Sequence, residues 1–323
     1  MNFYFNMTKK KVVVFGGGNG SAVSLVALKQ SIANFDIAGI VSMSDSGGSS
    51  GKLRQEFGVL PPGDIMRAVL ALSKYEYPLL KKIFYTNRFE SKDKLNKHNL
   101  GNIFLTLATQ YSGGLMSAVR ALEQSVESQG KIYPATLDSC DLVAELSNGK
   151  KIFSEAKIDH PEYSRNLKIK RVSLEPKVKA CVEAIKAVQS ADYIILSPGS
   201  LYTSVVATLL PQGLQAAIEK SRAKIIFISG NAYRTDSETG PEDMVGVVRE
   251  LQQYISRKID LVLYNNHQLT NLEKKKYKEK KWGELLDNTK ELKEYKIVSF
   301  DYERDGGGLC SIKLGKKLKE VLK

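Results

Sequence analysis

A doubly wound α/β fold with a mostly parallel sheet is expected of this 323-residue chain on three observations. Short Val- and Ile-rich runs flanked by turn residues read as strands buried on both faces. Helical patterns separate most of them, which is the alternation of a covered parallel sheet. The first run opens straight into a glycine-rich turn, and an apolar helix pattern follows.

The strands are expected at residues 12–15, 37–42, 193–196, 224–228, 261–264 and 296–300, and helices at 178–188 and 205–220. Two stretches interrupt this order. Residues 61–125 look mostly helical, with patterns at 64–73, 78–84, 99–110 and 115–125. Residues 131–174 look like a small β-meander, because Asn148-Gly149 is a hairpin turn between residues 142–146 and 151–153, and a further strand spans 169–174. Together they form an insertion of about residues 61–174 between the second and third core strands of a single domain over 7–323. Met7 is read as the natural start, with residues 1–6 a disordered extension.

Composition narrows the function classes. Apolar content of 42% and charged content of 26% suit a globular protein, and no apolar run approaches a bilayer span. Cys140, Cys181 and Cys310 lie far apart without metal spacing, which suits a reducing cytoplasm. His98, His160 and His267 are equally scattered. The net charge of +13 fits a nucleic acid, an anionic surface or a phosphorylated small molecule. The lysine run Lys274, Lys275, Lys276, Lys278, Lys280 and Lys281 reads either as a solvated helical face or as an anion patch. It has no interleaved aromatics beyond Tyr277 and Trp282, and no recognition motif accompanies it, so nucleic acid is not the expected partner. Neither membrane insertion nor a particular homo-oligomer is indicated, and self-association is left open.

Chemistry concentrates after the strands, where an open α/β sheet binds its ligands. After the first strand, Gly16, Gly17, Gly18, Asn19, Gly20 and Ser21 form a phosphate-cradle candidate, although Ser21 stands where a dinucleotide fingerprint would place its third glycine. After the second, residues 43–54 read as a long loop carrying Asp45, Ser49, Lys52 and Arg54. Asp45 could accept from ligand hydroxyls or hold Mg²⁺ with waters, and Lys52 and Arg54 could neutralise phosphates. Asp64 is an N-cap candidate that shares a helix face with Arg67, and Asn99 and Asn102 flank the next helix start beside His98. After the third strand come Pro198, Gly199, Ser200, Thr203 and Ser204, a second cradle rich in hydroxyls; after the fourth come Asn231, Glu238 and Thr239. With few apolar residues among them, these loops suit a polar, phosphorylated ligand. No Ser-His-Asp or Cys-His arrangement suggests a covalent nucleophile, so any chemistry would rest on positioning and charge neutralisation.

GGGNGS from Gly16, SDSGGSSGKLR from Ser44, PPGDIMR from Pro61, HNLGN from His98, PATLDSCDLVAEL from Pro134, IKRVSLEP from Ile169 and SPGSLYTS from Ser197 occur in a familiar order. By these motifs the chain resembles the CofD-like proteins, and specifically their YvcK-type branch of gluconeogenesis factors. The other branch is 2-phospho-L-lactate transferase. The resemblance implies a Rossmann-like core with an inserted helical and β segment. It implies a UDP-sugar across the loops at 16–21 and 198–204, with Asp45, Asp64, Asn102 and Asn231 lining the pocket. It also implies a role in cell shape and cell-wall precursor supply during growth on gluconeogenic carbon. The alternative it carries is Mg²⁺-dependent transfer of 2-phospho-lactate from a guanylylated donor to a deazaflavin, with Asp45 and Asp64 as catalytic candidates. Two departures speak against that chemistry: Ser46 stands where the family usually pairs a second acid with Asp45, and Asp236-Ser237 replaces a usual Pro-Gly before Glu238.

Overall fold

A computed structural model describes residues 9–90 and 92–323, so the expectation for residues 1–6 lies outside the described residues. The central sheet has seven strands: β1 (Lys10–Phe15), β2 (Phe35–Val41), β3 (Lys131–Pro134), β7 (Tyr193–Leu196), β8 (Lys224–Ser229), β10 (Leu261–Asn265) and β12 (Ile297–Phe300). Their spatial order is β12-β10-β8-β7-β1-β2-β3 and every pairing is parallel, with Val13 opposite Ala38 on one side and Ile194 on the other. The chain winds outward one way through β2 and β3, then returns and winds the other way from β7. The direction reverses between β1 and β7, which opens a crevice at their carboxyl ends.

Alternation along each strand divides the core into two layers. Val13, Phe15, Ile194, Leu196, Ile225 and Phe227 face helices Val182–Gln189, Leu214–Lys220 and Met244–Gln252. Val12, Val14, Ile37, Ile195, Ile226 and Ile228 face helices Gly18–Lys29, Gly63–Leu72 and Ser311–Val321. Strands apolar on both faces explain the uninterrupted Val/Ile runs.

All six expected strands are present, and a seventh joins them. β3 was expected in the β-meander, but it pairs with β2 at the sheet edge and divides the expected insertion. Its short Lys-Ile-Tyr-Pro run gives a lone strand no sequence mark of its partner. The remainder of the meander is a three-stranded antiparallel sheet of β4 (Asp141–Leu146), β5 (Lys151–Phe153) and β6 (Ile169–Glu175), in the order β5-β4-β6, with Gly149 at φ 84° in its turn. β9 (Ala232–Arg234) and β11 (Trp282–Glu284) form a separate antiparallel pair beyond the end of β8.

Two helix expectations change. Residues 43–54 are not one long loop: helix Gly48–Phe57 begins within them, capped at its carboxyl end by Gly58 at φ 64°. The helix expected over 205–220 is interrupted. Its first part starts earlier as a wide turn, Leu201–Val206, and the chain breaks at Pro211 before Leu214–Lys220. Proline cannot continue the helical hydrogen-bond ladder. No helix among the described residues is long and apolar enough to cross a membrane.

Candidate functional site

The crevice between β1 and β7 deepens into a cavity of about 1050 Å³. The two loops that open it are pressed together. Ser197 N donates to Phe15 O at 2.9 Å, and a Cβ on Gly20 would lie 1.8 Å from Pro198 O, so only glycine permits that approach. Gly18 sits at φ 65° as helix Gly18–Lys29 begins. Among the described residues no side chain caps this helix, so its first N–H groups and partial positive charge face the cavity. Helix Gly48–Phe57 likewise starts from an uncapped Gly47.

The second cradle differs from its expectation. Glu238 occupies it: its carboxylate accepts from Tyr202 N at 3.1 Å and from Thr203 N at 2.9 Å. Burial raises the Glu238 carboxyl to about 7 even though these donors pull it down. Ser200 and Ser204 remain on the cavity wall.

Against the first glycine turn stands an ionisable wall: a Cβ on Gly17 would lie 2.4 Å from Asp64 Oδ2. Asp64 pairs with Arg67 at 3.3 Å, and the Arg67 guanidinium bonds the Tyr85 hydroxyl and lies 4.3 Å from its ring centroid. Gly47 N donates to Asp45 Oδ1 at 2.9 Å. A Cβ on Gly47 would meet Asp45 Oδ1 at 3.5 Å and Glu155 Oε2 at 3.9 Å, so the two carboxylates flank that glycine. Ser46 holds Glu155 in place, since its Oγ accepts from Ala156 N at 3.0 Å. Burial, then Asp45, pushes the Glu155 carboxyl up to about 8, and burial with Asp64 raises that of Asp45. Asp159 bonds the Ser237 hydroxyl and pairs with Arg234 at 3.2 Å.

Asn102 connects this wall to a buried relay. Its Nδ2 donates to Ser49 Oγ at 3.0 Å, and Ser49 Oγ meets His98 Nδ1 at 2.8 Å. Among the described residues Asn102 Oδ1 is buried without a partner. A Cβ on Gly63 would lie 2.6 Å from Ser50 Oγ, 3.5 Å from Asp45 Oδ2 and 3.9 Å from Asn102 Oδ1, so these oxygens cluster around that glycine.

The cavity therefore gathers Gly17, Gly18, Asn19, Gly20, Asp45, Ser49, Asp64, Arg67, Asn102, Pro198, Gly199, Ser200, Thr203, Ser204, Asn231 and Glu238. Six expected residues fall outside its lining, among them Gly16 and Arg54, whose guanidinium donates instead to Asp45 O at 3.1 Å and Cys140 O at 3.0 Å. Ser21 turns back to Gly18 O at 3.3 Å, and Asn99 caps its helix by accepting from Asn102 N at 2.8 Å. Lys52 is exposed on helix Gly48–Phe57, and Thr239 donates to Leu167 O at 2.8 Å. Conversely Glu155, Asp159, Tyr85, Lys81, Lys280 and Arg304 line the cavity without having been singled out as site residues. Apart from the lysine run, no local motif marks them, because each arrives by long-range packing.

A family model described as 2-phospho-L-lactate transferase CofD matches residues 12–301. The chain is 37% identical over 271 residues to the gluconeogenesis factor of Bacillus subtilis, a match covering 83% of each chain. To the gluconeogenesis factor of Halalkalibacterium halodurans it is 35% identical over 291 residues, covering 89% of this chain and 87% of that one. The crystal structure of a Bacillus halodurans protein described as a member of the UPF0052 family superposes with a TM-score of 0.88 at 32% identity, covering 97% of this chain and 99% of that one. Motif order, sheet order and relatives agree: the chain belongs to the CofD family, in the branch that contains the gluconeogenesis factors.

Proposed function

We propose that the protein binds a nucleotide sugar, a UDP-sugar in particular, and acts in gluconeogenic growth, cell shape and cell-wall precursor supply through that binding. The observation that carries this is the convergence of the uncapped glycine turn at Gly17–Gly20 and the hydroxyls of Ser200 and Ser204 on one switch-point cavity. N–H groups at a helix start suit a diphosphate, and hydroxyl and amide groups suit ribose and sugar. Calorimetry with UDP-N-acetylglucosamine and a panel of other nucleotides tests it. Saturable binding of a UDP-linked sugar is expected; no binding of any nucleotide would end the proposal.

A second reading has its own observation. The unpartnered Asn102 Oδ1 beside Asp45, with Glu155 across Gly47, offers oxygen donors of the kind Mg²⁺ prefers. Among the described residues no group of three His, Cys, Asp or Glu side chains is arranged to hold a metal ion. The fit is thus to a Mg²⁺ that takes one or two carboxylates and completes its shell with ligand phosphate and water. Asp45, Glu155 and Asn102 would hold it, and it would neutralise charge during transfer from a nucleoside-diphosphate-linked donor. Incubation with a deazaflavin and a guanylylated lactate donor across divalent metals decides this reading, and absence of product rules it out.

A further inference from the structure

The lysine run resolves into members with different roles. Lys274 pairs with Glu284 at 3.5 Å and Lys281 with Asp236 at 3.2 Å, while Lys275 and Lys278 are exposed and Lys276 is half-buried. Lys280 instead reaches the cavity wall, where its Nζ donates to Gly306 O at 2.5 Å and lies 4.9 Å from the Trp282 ring centroid. Arg304 stands at the start of the same turn and donates from Nη2 to Gly307 O at 2.9 Å. The turn must be glycine to admit them. Gly307 sits at φ 94°, and a Cβ there would meet Tyr277 at 3.1 Å and Lys280 Nζ at 3.2 Å.

Lys81 approaches from the insertion. It ends helix Tyr77–Lys81, lines the same cavity, and reaches Asn19 Oδ1, in the first glycine turn, at 3.4 Å. Burial, Arg67 and Arg304 all lower its pKa, so Arg304 is near enough to repel it. Among the described residues none of Lys81, Lys280 and Arg304 forms a salt bridge. Lys81 and Arg304 repel one another across the cavity, and an anion entering between them would relieve that repulsion.

We propose that Lys81, Lys280 and Arg304 form an anion subsite at the mouth of the cavity, which takes one phosphate of a diphosphate-linked ligand while the turn at Gly17–Gly20 takes the other. The proposal rests on the nucleotide-sugar reading and extends it to segments outside the strand-tip loops. The three cations come from the insertion, the lysine run and the C-terminal glycine turn, so a bound diphosphate ties these segments together.

The test uses the full chain with Lys81→Met, Lys280→Met and Arg304→Met, singly and together. Each is titrated calorimetrically with UDP-N-acetylglucosamine, UDP, UMP, uridine and inorganic pyrophosphate at low and moderate salt. The triple variant is expected to lose about tenfold or more in UDP affinity, with a smaller loss for UMP and none for uridine. Its binding should also depend less on salt, and Lys81→Arg should keep most of the affinity. Melting temperatures confirm that each variant is folded, and the single changes carry the test if the triple is not. UDP-N-acetylglucosamine bound equally by wild type and variants would overturn the subsite and leave the nucleotide-sugar reading standing. Pyrophosphate bound through Lys81, with no nucleotide bound, would keep the subsite and overturn that reading. No binding of any anion would overturn both.

Discussion

The two walls of the cavity arise in different ways. The strand-tip wall, from Gly17 to Gly20 and from Pro198 to Ser204, presents main-chain N–H groups, glycines and hydroxyls. The neighbouring wall presents charge: Asp45, Asp64 and Arg67, joined by Glu155 and Asp159 from beyond β5. The first wall is placed by continuity with parallel strands, because a loop that follows a strand of this sheet must emerge at its carboxyl edge. The second depends on packing between segments far apart in the chain, as where the backbone of Ala156 bonds the side chain of Ser46. Neutral donors thus come from the strand-tip loops, while Asp64, Arg67, Glu155 and Asp159 come from the expected insertion.

The largest expected effect falls on the strand-tip wall. Gly20→Val drives a side chain into Pro198 O and should cost about 3 kcal/mol of stability along with all ligand binding, read by denaturant unfolding and calorimetry. Gly18→Val separates binding from folding more cleanly. Its φ of 65° is strained for valine, at about 1–2 kcal/mol, and the new side chain meets Arg67 Nη1 at 3.4 Å. Nucleotide affinity should fall by more than about tenfold while the protein remains folded. Survival of binding in this variant would move the ligand away from the glycine turn.

The charged wall predicts a pH effect. The ordinary carboxyl value of Glu155 is 4.5, and in the folded chain it is pushed to about 8. Between those values the unfolded chain ionises Glu155 while the folded chain keeps its proton. Stability should therefore decline as pH rises through that window, with the cost absent below it and complete above it. Glu155→Gln stays neutral and should flatten the decline. A residual slope should remain to about 7, where Glu238 titrates in the folded chain. Equal slopes in wild type and variant would show that Glu155 is ionised at neutral pH. The smallest expected effects are those of Ser21→Ala and Lys52→Ala, which lie outside the cavity lining: affinity within about twofold and stability within about 0.5 kcal/mol.

Legibility follows the same division. The six strands and the Asn148-Gly149 hairpin could be read because burial on both faces and a turn requiring positive φ each leave a local mark. β3 could not, since its four residues carry no pattern that tells a sheet edge from a meander. Helix Gly48–Phe57 was hidden by glycines and serines that resemble a loop, although they open a helix. From its place after the fourth strand, Glu238 reads as a ligand-binding residue. Its carboxylate instead takes the Tyr202 and Thr203 N–H groups expected to be offered to a ligand, and only the folded chain brings those donors to it.

From the residues alone came the parallel α/β core, the glycine turn after its first strand and the kinship of the chain, because these rest on short-range pattern and motif order. The folded molecule alone assigned Glu155 to the side of Asp45, Glu238 to the second cradle, and Lys280 to the rim with Lys81 and Arg304. Ionisable side chains from distant segments acquire a shared environment only when packing removes the water between them, and burial and mutual charge then set their properties.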